Sequence, residues 1–230
     1  MSRNIIITGA NGNLGSAVVK KFLNENYKVI AVDRSGSHLG FAEGNPLFEL
    51  HAADLTDETA AETFVQEAIA LNVNIDGALL LAGGFAMGGV DSTDNAALHK
   101  MFSLNFETAY HMARPILQHM IQKGYGRIVL VGARPALLAS AGKDMMAYAL
   151  SKSLLFKLAE LFNATTKGTN VVTSVIVPST IDTPDNRKSM PDADTSGWVK
   201  PAQIADVLEF ICSAKGDVIR EPVYKVYNNA

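Results

Sequence analysis

The stretch from Asn4 to Gly15, N-I-I-I-T-G-A-N-G-N-L-G, constrains this chain more than any other. The β-branched run Ile5, Ile6 and Ile7 reads as a buried strand. It breaks at Thr8 and Gly9 into a glycine-punctuated turn, and an apolar helical pattern begins at Leu14. Gly9, Gly12 and Gly15 are spaced three apart, which lets the backbone turn tightly and come close to a ligand. The N–H groups of the helix starting there point at an anion, as the pyrophosphate of a dinucleotide requires. A glycine-rich turn alone is weak evidence, because many turns carry glycines for their dihedrals only. Set between a buried strand and an amphipathic helix, it is much stronger. Asn11, Asn13 and Leu14 share the turn and join the three glycines as candidate cofactor-binding residues.

With 230 residues, the chain suits one α/β domain spanning 1–230 with a substantial core. A net charge of −3 with no basic tract gives nothing for nucleic acid or an anionic membrane to hold. The single cysteine, Cys212, excludes an intramolecular disulfide and fits a reducing cytosol. The N-terminus enters a strand at once, without a signal-peptide pattern, and no apolar run reaches membrane-spanning length. The five histidines make no metal-ligand cluster. These features predict a cytoplasmic enzyme acting on a small molecule.

A second buried strand, Lys28 to Val32, ends at Asp33-Arg34. An acid at that place in a nucleotide-binding βαβ unit bonds the adenosine ribose hydroxyls and repels a 2′-phosphate, so Asp33 favours NAD over NADP. Arg34 leaves NADP open, because a neighbouring Arg accepts a phosphate. A Gly- and Ser-containing loop leads to a third strand near Leu47 to Ala52, and Thr56 is the expected cap of the next helix. The fourth strand, Asp76 to Leu81, runs into Ala82, Gly83 and Gly84, small residues that let a flat cofactor lie against the backbone. In the following helix Asn105 sits on the stripe of Leu98, Met101, Phe102, Ala109 and Met112. A buried amide must find partners, so it either braces a strand or holds a water in an active site. Pro115 is expected to kink or end this helix.

Arg127 to Val131 reads as a fifth strand, followed by an irregular stretch through Ala141. Tyr148 and Lys152 then share one face of a helix that Gly168 ends. A nearby ammonium stabilises phenolate and draws the tyrosine's pKa down, making a tunable proton donor. Val171 to Val177 is the sixth strand, Pro178 to Met190 an exposed polar loop, Pro201 the start of a helix, and Val223 to Tyr227 the closing strand. Thr183 to Trp198 reads either as a solvated connection or as a lid, with Arg187 or Lys188 available for polar contacts.

Taken together, Thr8-Gly9…Gly12…Gly15, Asp54-Leu55, Ala82-Gly83, Asn105, Tyr148-x-x-x-Lys152 and the Pro178…Thr183 segment resemble the short-chain dehydrogenase/reductase family along essentially the whole chain. The resemblance implies a Rossmann-type α/β fold, a doubly wound parallel sheet of seven strands in the order 3-2-1-4-5-6-7, flanked by helices. It implies that Tyr148 is the catalytic acid/base and that Lys152 binds the nicotinamide ribose. Asn105 would support a water-linked proton relay, Asp54 and Leu55 would flank the adenine, and Ile181 and Thr183 would face the nicotinamide amide. It further implies a homodimer or homotetramer pairing through the helices that carry Asn105 and Tyr148.

The chain departs from the common pattern in two places. Its glycines are spaced Gly-x-x-Gly-x-x-Gly, and Ala133 stands where the family's serine usually follows the fifth strand. Both departures, together with the segments 81–89, 132–137 and 182–191, resemble the quinonoid dihydropteridine reductase branch of the family, although Asn105 belongs to the general pattern. The expected activity is hydride transfer from NADH to a quinonoid dihydropterin or a similar conjugated acceptor. Two alternatives stay open: a general carbonyl or alcohol dehydrogenase using Ser140 or water for the missing serine, and a non-catalytic sensor of NAD(P) state.

Overall fold

The computed structural model describes residues 2–35 and 39–229. Gly36, Ser37 and His38, within the loop expected after Arg34, lie outside the described residues. The strands are β1 (Asn4–Thr8), β2 (Lys28–Asp33), β3 (Phe48–Ala52), β4 (Gly77–Leu80), β5 (Tyr125–Val131), β6 (Asn170–Pro178) and β7 (Val223–Val226). All pair in parallel, in one seven-stranded sheet of order β3-β2-β1-β4-β5-β6-β7. The order reverses beside β1, whose Ile6 lies between Ile30 of β2 and Ala78 of β4.

The helices are α1 (Asn13–Asn24), α2 (Glu58–Asn72), α3 (Asn95–Phe102), α4 (Thr108–Lys123), α5 (Arg134–Leu137), α6 (Ala139–Gly142), α7 (Met146–Thr165), α8 (Pro184–Ser189) and α9 (Pro201–Cys212). Strand side chains alternate between faces. Ile6 packs into the core with Phe64 and Val65 of α2, Met112 and Ile116 of α4 and Leu155 of α7. Ile5 and Ile7 pack into the opposite core with Val18 and Phe22 of α1 and Ile204 and Leu208 of α9. Both faces are therefore covered, which is why the strands read as continuous apolar runs rather than alternating ones. This is the doubly wound, Rossmann-type architecture.

Several local expectations need correction. Asp57, not Thr56, caps α2, its carboxylate accepting the N–H groups of Thr59 and Ala60. Thr56 instead donates its hydroxyl to Asp54. Pro115 does not end its helix, since α4 runs to Lys123 with Met112, Ile116 and Met120 fully buried on either side of it. Packing of that stripe outweighs the one backbone bond that proline removes. The irregularity comes earlier, as a π turn at Ser103–Glu107 between α3 and α4. The stretch after β5 holds α5 and α6, the supposed loop after Pro178 contains α8, and α7 ends at Thr165 before Gly168.

At the amino end of β5, Arg127 is 1% exposed, and both terminal nitrogens of its guanidinium are partnered while its Nε is not. Its guanidinium donates to Asp217 at 3.0 Å and to the Asn170 carbonyl and side chain at 2.8 Å. The Tyr125 ring lies within 4.9 Å of the Arg3 guanidinium and 4.7 Å of that of Arg127. On the α4 side, His119 is buried, and its Nε2 accepts the Ile75 N–H at 3.2 Å. That bond requires the neutral ring, and burial, with Lys123 nearby, holds the His119 pKa below its ordinary value of 6.5, Asp76 opposing. The unfolded chain therefore takes up this proton more readily than the folded one. The stability due to the neutral ring is complete above about pH 6.5 and is lost as pH falls through the lowered folded pKa. Thermal melts at pH 8 and pH 5.5 should show a smaller loss of Tm in His119→Gln, whose amide oxygen accepts the same N–H without titrating; an equal loss in both proteins would remove His119 as a cause.

Candidate active site

The candidate site lies at the carboxyl ends of the strands, where the order reverses. Gly9 turns with φ +66°, and a Cβ there would meet the Ala82 nitrogen at 3.0 Å. A Cβ at Gly15 would come 2.0 Å from the Gly9 carbonyl oxygen, so α1 starts against the turn itself. The Ala82 N–H donates to Thr8 Oγ1 at 3.0 Å and joins the ends of β1 and β4. A cleft of about 510 Å³ opens above, lined by Gly9, Asn11, Gly12, Asp33, Arg34, Asp54, Leu55, Ala82 and Gly83, all expected from sequence. Ala53, Leu81, Leu104 and Thr108 complete it. The sequence reading missed these four; the first two adjoin named residues, and the others lie near Asn105 on the π turn and at the start of α4.

Hydrogen bonds fix the acidic wall. Asp33 accepts the Asn11 N–H at 2.9 Å and the Arg34 N–H at 2.7 Å, so its carboxylate is fastened to the glycine turn. Asp54 accepts the Thr56 hydroxyl at 2.7 Å and the Thr56 N–H at 3.0 Å, which holds its pKa below the ordinary carboxylate value.

Other expected residues frame the cleft without lining it. Gly15 is buried against Gly9, and Leu14 packs beside the α1–α9 core. Asn13 hydrogen-bonds Asp185. Pro178 is buried at the end of β6, Ile181 forms a bridge with Val199, and the Thr183 hydroxyl caps α8. Asn105, fully buried, accepts the Gly84 N–H at 2.9 Å and donates to Ser151 Oγ at 3.1 Å. Its side chain braces the β4 loop against α7. A Cβ at Gly83 would lie 2.6 Å from Asn105 Oδ1 and 3.2 Å from Lys152 Nζ, so these groups meet at the cleft's inner end.

Tyr148 and Lys152 stand at i and i+4 of α7 as expected, but the phenol's pKa is not drawn down. Among the described residues no hydrogen bond joins them; Lys152 Nζ donates to the Val131 carbonyl at 2.9 Å. Burial pushes the Tyr148 phenol up to about 12 rather than down, and pushes Lys152 down to about 8. Desolvation dominates because each group penalises its charged form in an apolar setting. The Tyr148 ring packs edge-on to Phe85 with centroids 5.0 Å apart, and Phe85 is otherwise exposed. The Gly88 N–H donates to the Asp144 carbonyl and the Met146 N–H to the Gly88 carbonyl, both at 2.8 Å, so the 83–89 segment is stitched to the start of α7. Ser140 lies exposed on α6 and makes no hydrogen bond to Tyr148 among the described residues. Arg187 is occupied by a two-point pairing with Asp182 at 2.6 and 2.9 Å.

A family model described as short chain dehydrogenase matches residues 3–194. A dihydropteridine reductase of Dictyostelium discoideum is 30% identical, over 90% of this chain and 87% of that protein. A 2-(R)-hydroxypropyl-CoM dehydrogenase of Xanthobacter autotrophicus is 26% identical, over 92% of this chain and 91% of that one. Among solved structures, a short chain dehydrogenase/reductase family oxidoreductase of Burkholderia thailandensis superposes with a TM-score of 0.86 at 23% identity, covering 100% of this chain and 92% of its own. A candidate NAD(P)-dependent gluconate 5-dehydrogenase of Beutenbergia cavernae, with NADP bound at low occupancy, gives 0.88 at 21% identity over 99% and 96%. At these identities the solved structures speak for the fold.

The bracing by Asn105 has a measurable consequence. Asn105→Ala removes the acceptor of the half-buried Gly84 N–H and the buried bond to Ser151, and should lower the unfolding free energy by roughly 1–3 kcal/mol in urea titrations. Unchanged stability with lost turnover would instead mark the amide as part of a proton relay.

Proposed function

The chain belongs to the short-chain dehydrogenase family and is an oxidoreductase of that kind, and on this premise we propose that it uses NADH to reduce a quinonoid dihydropterin. Ala133 carries the reading: it is buried just after β5, where the family resemblance leads one to expect a serine. Reduction of a simple ketone draws on a second donor for the charge developing on oxygen, and losing such a donor costs about 10²–10³ in rate. A conjugated ring spreads that charge and depends less on it. The likeness to a dihydropteridine reductase supports the same choice.

The tight glycine turn, whose Gly9, Asn11 and Gly12 line the cleft beside the start of α1, suits a dinucleotide pyrophosphate. Asp33 would take the adenosine ribose hydroxyls and disfavour a 2′-phosphate, with Arg34 as the opposing influence. Asp54 and Leu55 would flank the adenine. When bound, the nicotinamide supplies a hydride. Tyr148, held protonated by a pKa of about 12, donates the proton to the reduced acceptor. Lys152, at the inner end of the cleft, would hold the nicotinamide ribose. Phe85 offers an apolar ring beside the phenol for a flat acceptor to lie against.

Steady-state oxidation of NADH and NADPH with freshly generated quinonoid dihydropterin, corrected for the uncatalysed reaction, tests this reading. Turnover should prefer NADH and fall roughly 10²–10⁴-fold in Tyr148→Phe. Equal or faster reduction of simple ketones would overturn the choice of acceptor, and turnover unchanged in Tyr148→Phe would overturn the role of the phenol. The exposed Leu150, Leu154 and Leu161 of α7, with Tyr110 and Ile121 of α4, support self-association into a dimer or tetramer through these helices. Light scattering should then show a smaller species for Leu154→Glu than for the unsubstituted chain; an unchanged mass would move the interface elsewhere.

A further inference from the structure

The short helix α8 is stiff within itself. The Thr183 hydroxyl accepts the Asn186 N–H, Asn186 Nδ2 donates to the Ile181 carbonyl at 2.8 Å, and Arg187 grips Asp182 at two points. Its base is anchored, the Asp182 N–H donating to the Val199 carbonyl at 2.8 Å. Its far side reaches the glycine turn by a single polar tie. Asn13 Nδ2 donates to Asp185 Oδ2 at 2.8 Å, across 172 positions of sequence. Among the described residues, no other hydrogen bond or ion pair joins 181–190 to 9–16. Asn13 is the first residue of α1, and no side chain caps that helix start. The tie therefore spans the N-terminus that the reading above gives to the pyrophosphate.

We propose that Asn13 and Asp185 form a latch that docks α8 on the glycine turn, and that they are positioning residues controlling how fast the nicotinamide cofactor leaves. A stiff segment anchored at its base and held by one tie opens as a unit when that tie breaks. The tie lies in solvent and is replaced by water at little cost, which suits a contact that must open in every cycle. This inference rests on the cofactor reading for its second half only.

Both side chains are exposed or at a helix end, so the test variants Asn13→Ala, Asp185→Ala and the double variant should fold. Hydrogen–deuterium exchange of the cofactor-free protein reads the latch directly. Each single variant should speed exchange in 184–190, and the double variant should add little, because both remove one bond. The exchanged pair, Asn13→Asp with Asp185→Asn, should restore protection. Stopped-flow displacement of NADH, followed by its fluorescence, should show release roughly three- to tenfold faster in either single variant, again without additivity. Unchanged exchange, or additive effects, would overturn the latch. Faster exchange with unchanged release would overturn its control of the cofactor. If the unsubstituted chain binds neither NADH nor NADPH, the cofactor reading falls with the release role, while the exchange data still decide the latch.

Discussion

A Cβ at Gly15 would stand 2.0 Å from the Gly9 carbonyl oxygen, and the carboxyl end of the sheet depends on its absence. Because nothing intrudes there, α1 can begin directly against the turn leaving β1. Gly9, in its left-handed conformation, then presses on Ala82 at the end of β4. The cleft is the space left between two strand ends pulled together and the β2 end, where Asp33 holds the turn through the Asn11 N–H. Backbone geometry thus precedes any side-chain chemistry here.

The inner end of the cleft follows a different logic, that of desolvation. Lys152 and Asn105 are both buried, and each is satisfied by a neighbour from another element: Lys152 by the last carbonyl of β5, Asn105 by Gly84 and Ser151. The Lys152 bond ties α7 to the end of β5, and the Asn105 bonds tie the π turn to the loop after β4 and to α7. The groups best suited to move or steady a proton are therefore also fasteners of the surrounding frame. Their ionisation is set by burial more than by one another.

Most of the fold could be read from the sequence because the strands and helices announce themselves by period. Ile5 to Ile7 and Arg127 to Val131 are apolar runs bounded by turn residues, and Val18, Val19, Phe22 and Leu23 repeat at helical spacing. The glycine turn, Asp33, Ala82 and Gly83 were legible because they follow strand ends at fixed places, Asp54 and Leu55 came through the family resemblance, and Leu104 and Thr108, on the π turn and α4, were not foreseen. What escaped lacks a local signature. Thr56 and Asp57 are both competent caps, and only the register of α2 chooses between them. The π turn around Asn105 has no sequence marker, although the misplaced amide on an apolar stripe pointed to the right helix. The Lys152 partner is a backbone carbonyl, which every residue carries. The tie between Asn13 and Asp185 joins two polar residues 172 positions apart, and no periodicity couples them.

The strip of backbone bonding between Gly88 and the residues just before α7 carries one more implication. Phe85 rides on that strip's own segment, and Tyr148 lies in the first turn of the helix it is sewn to, with the two rings in contact. The mouth of the cleft on this side is therefore a hem shared with the Tyr148 ring. A bulky molecule that forced the 83–89 segment outward would carry the phenol along or tear the stitching. Admission at that edge and the setting of the Tyr148 phenol are thus geared together, so an ill-fitting guest would displace that ring as it entered.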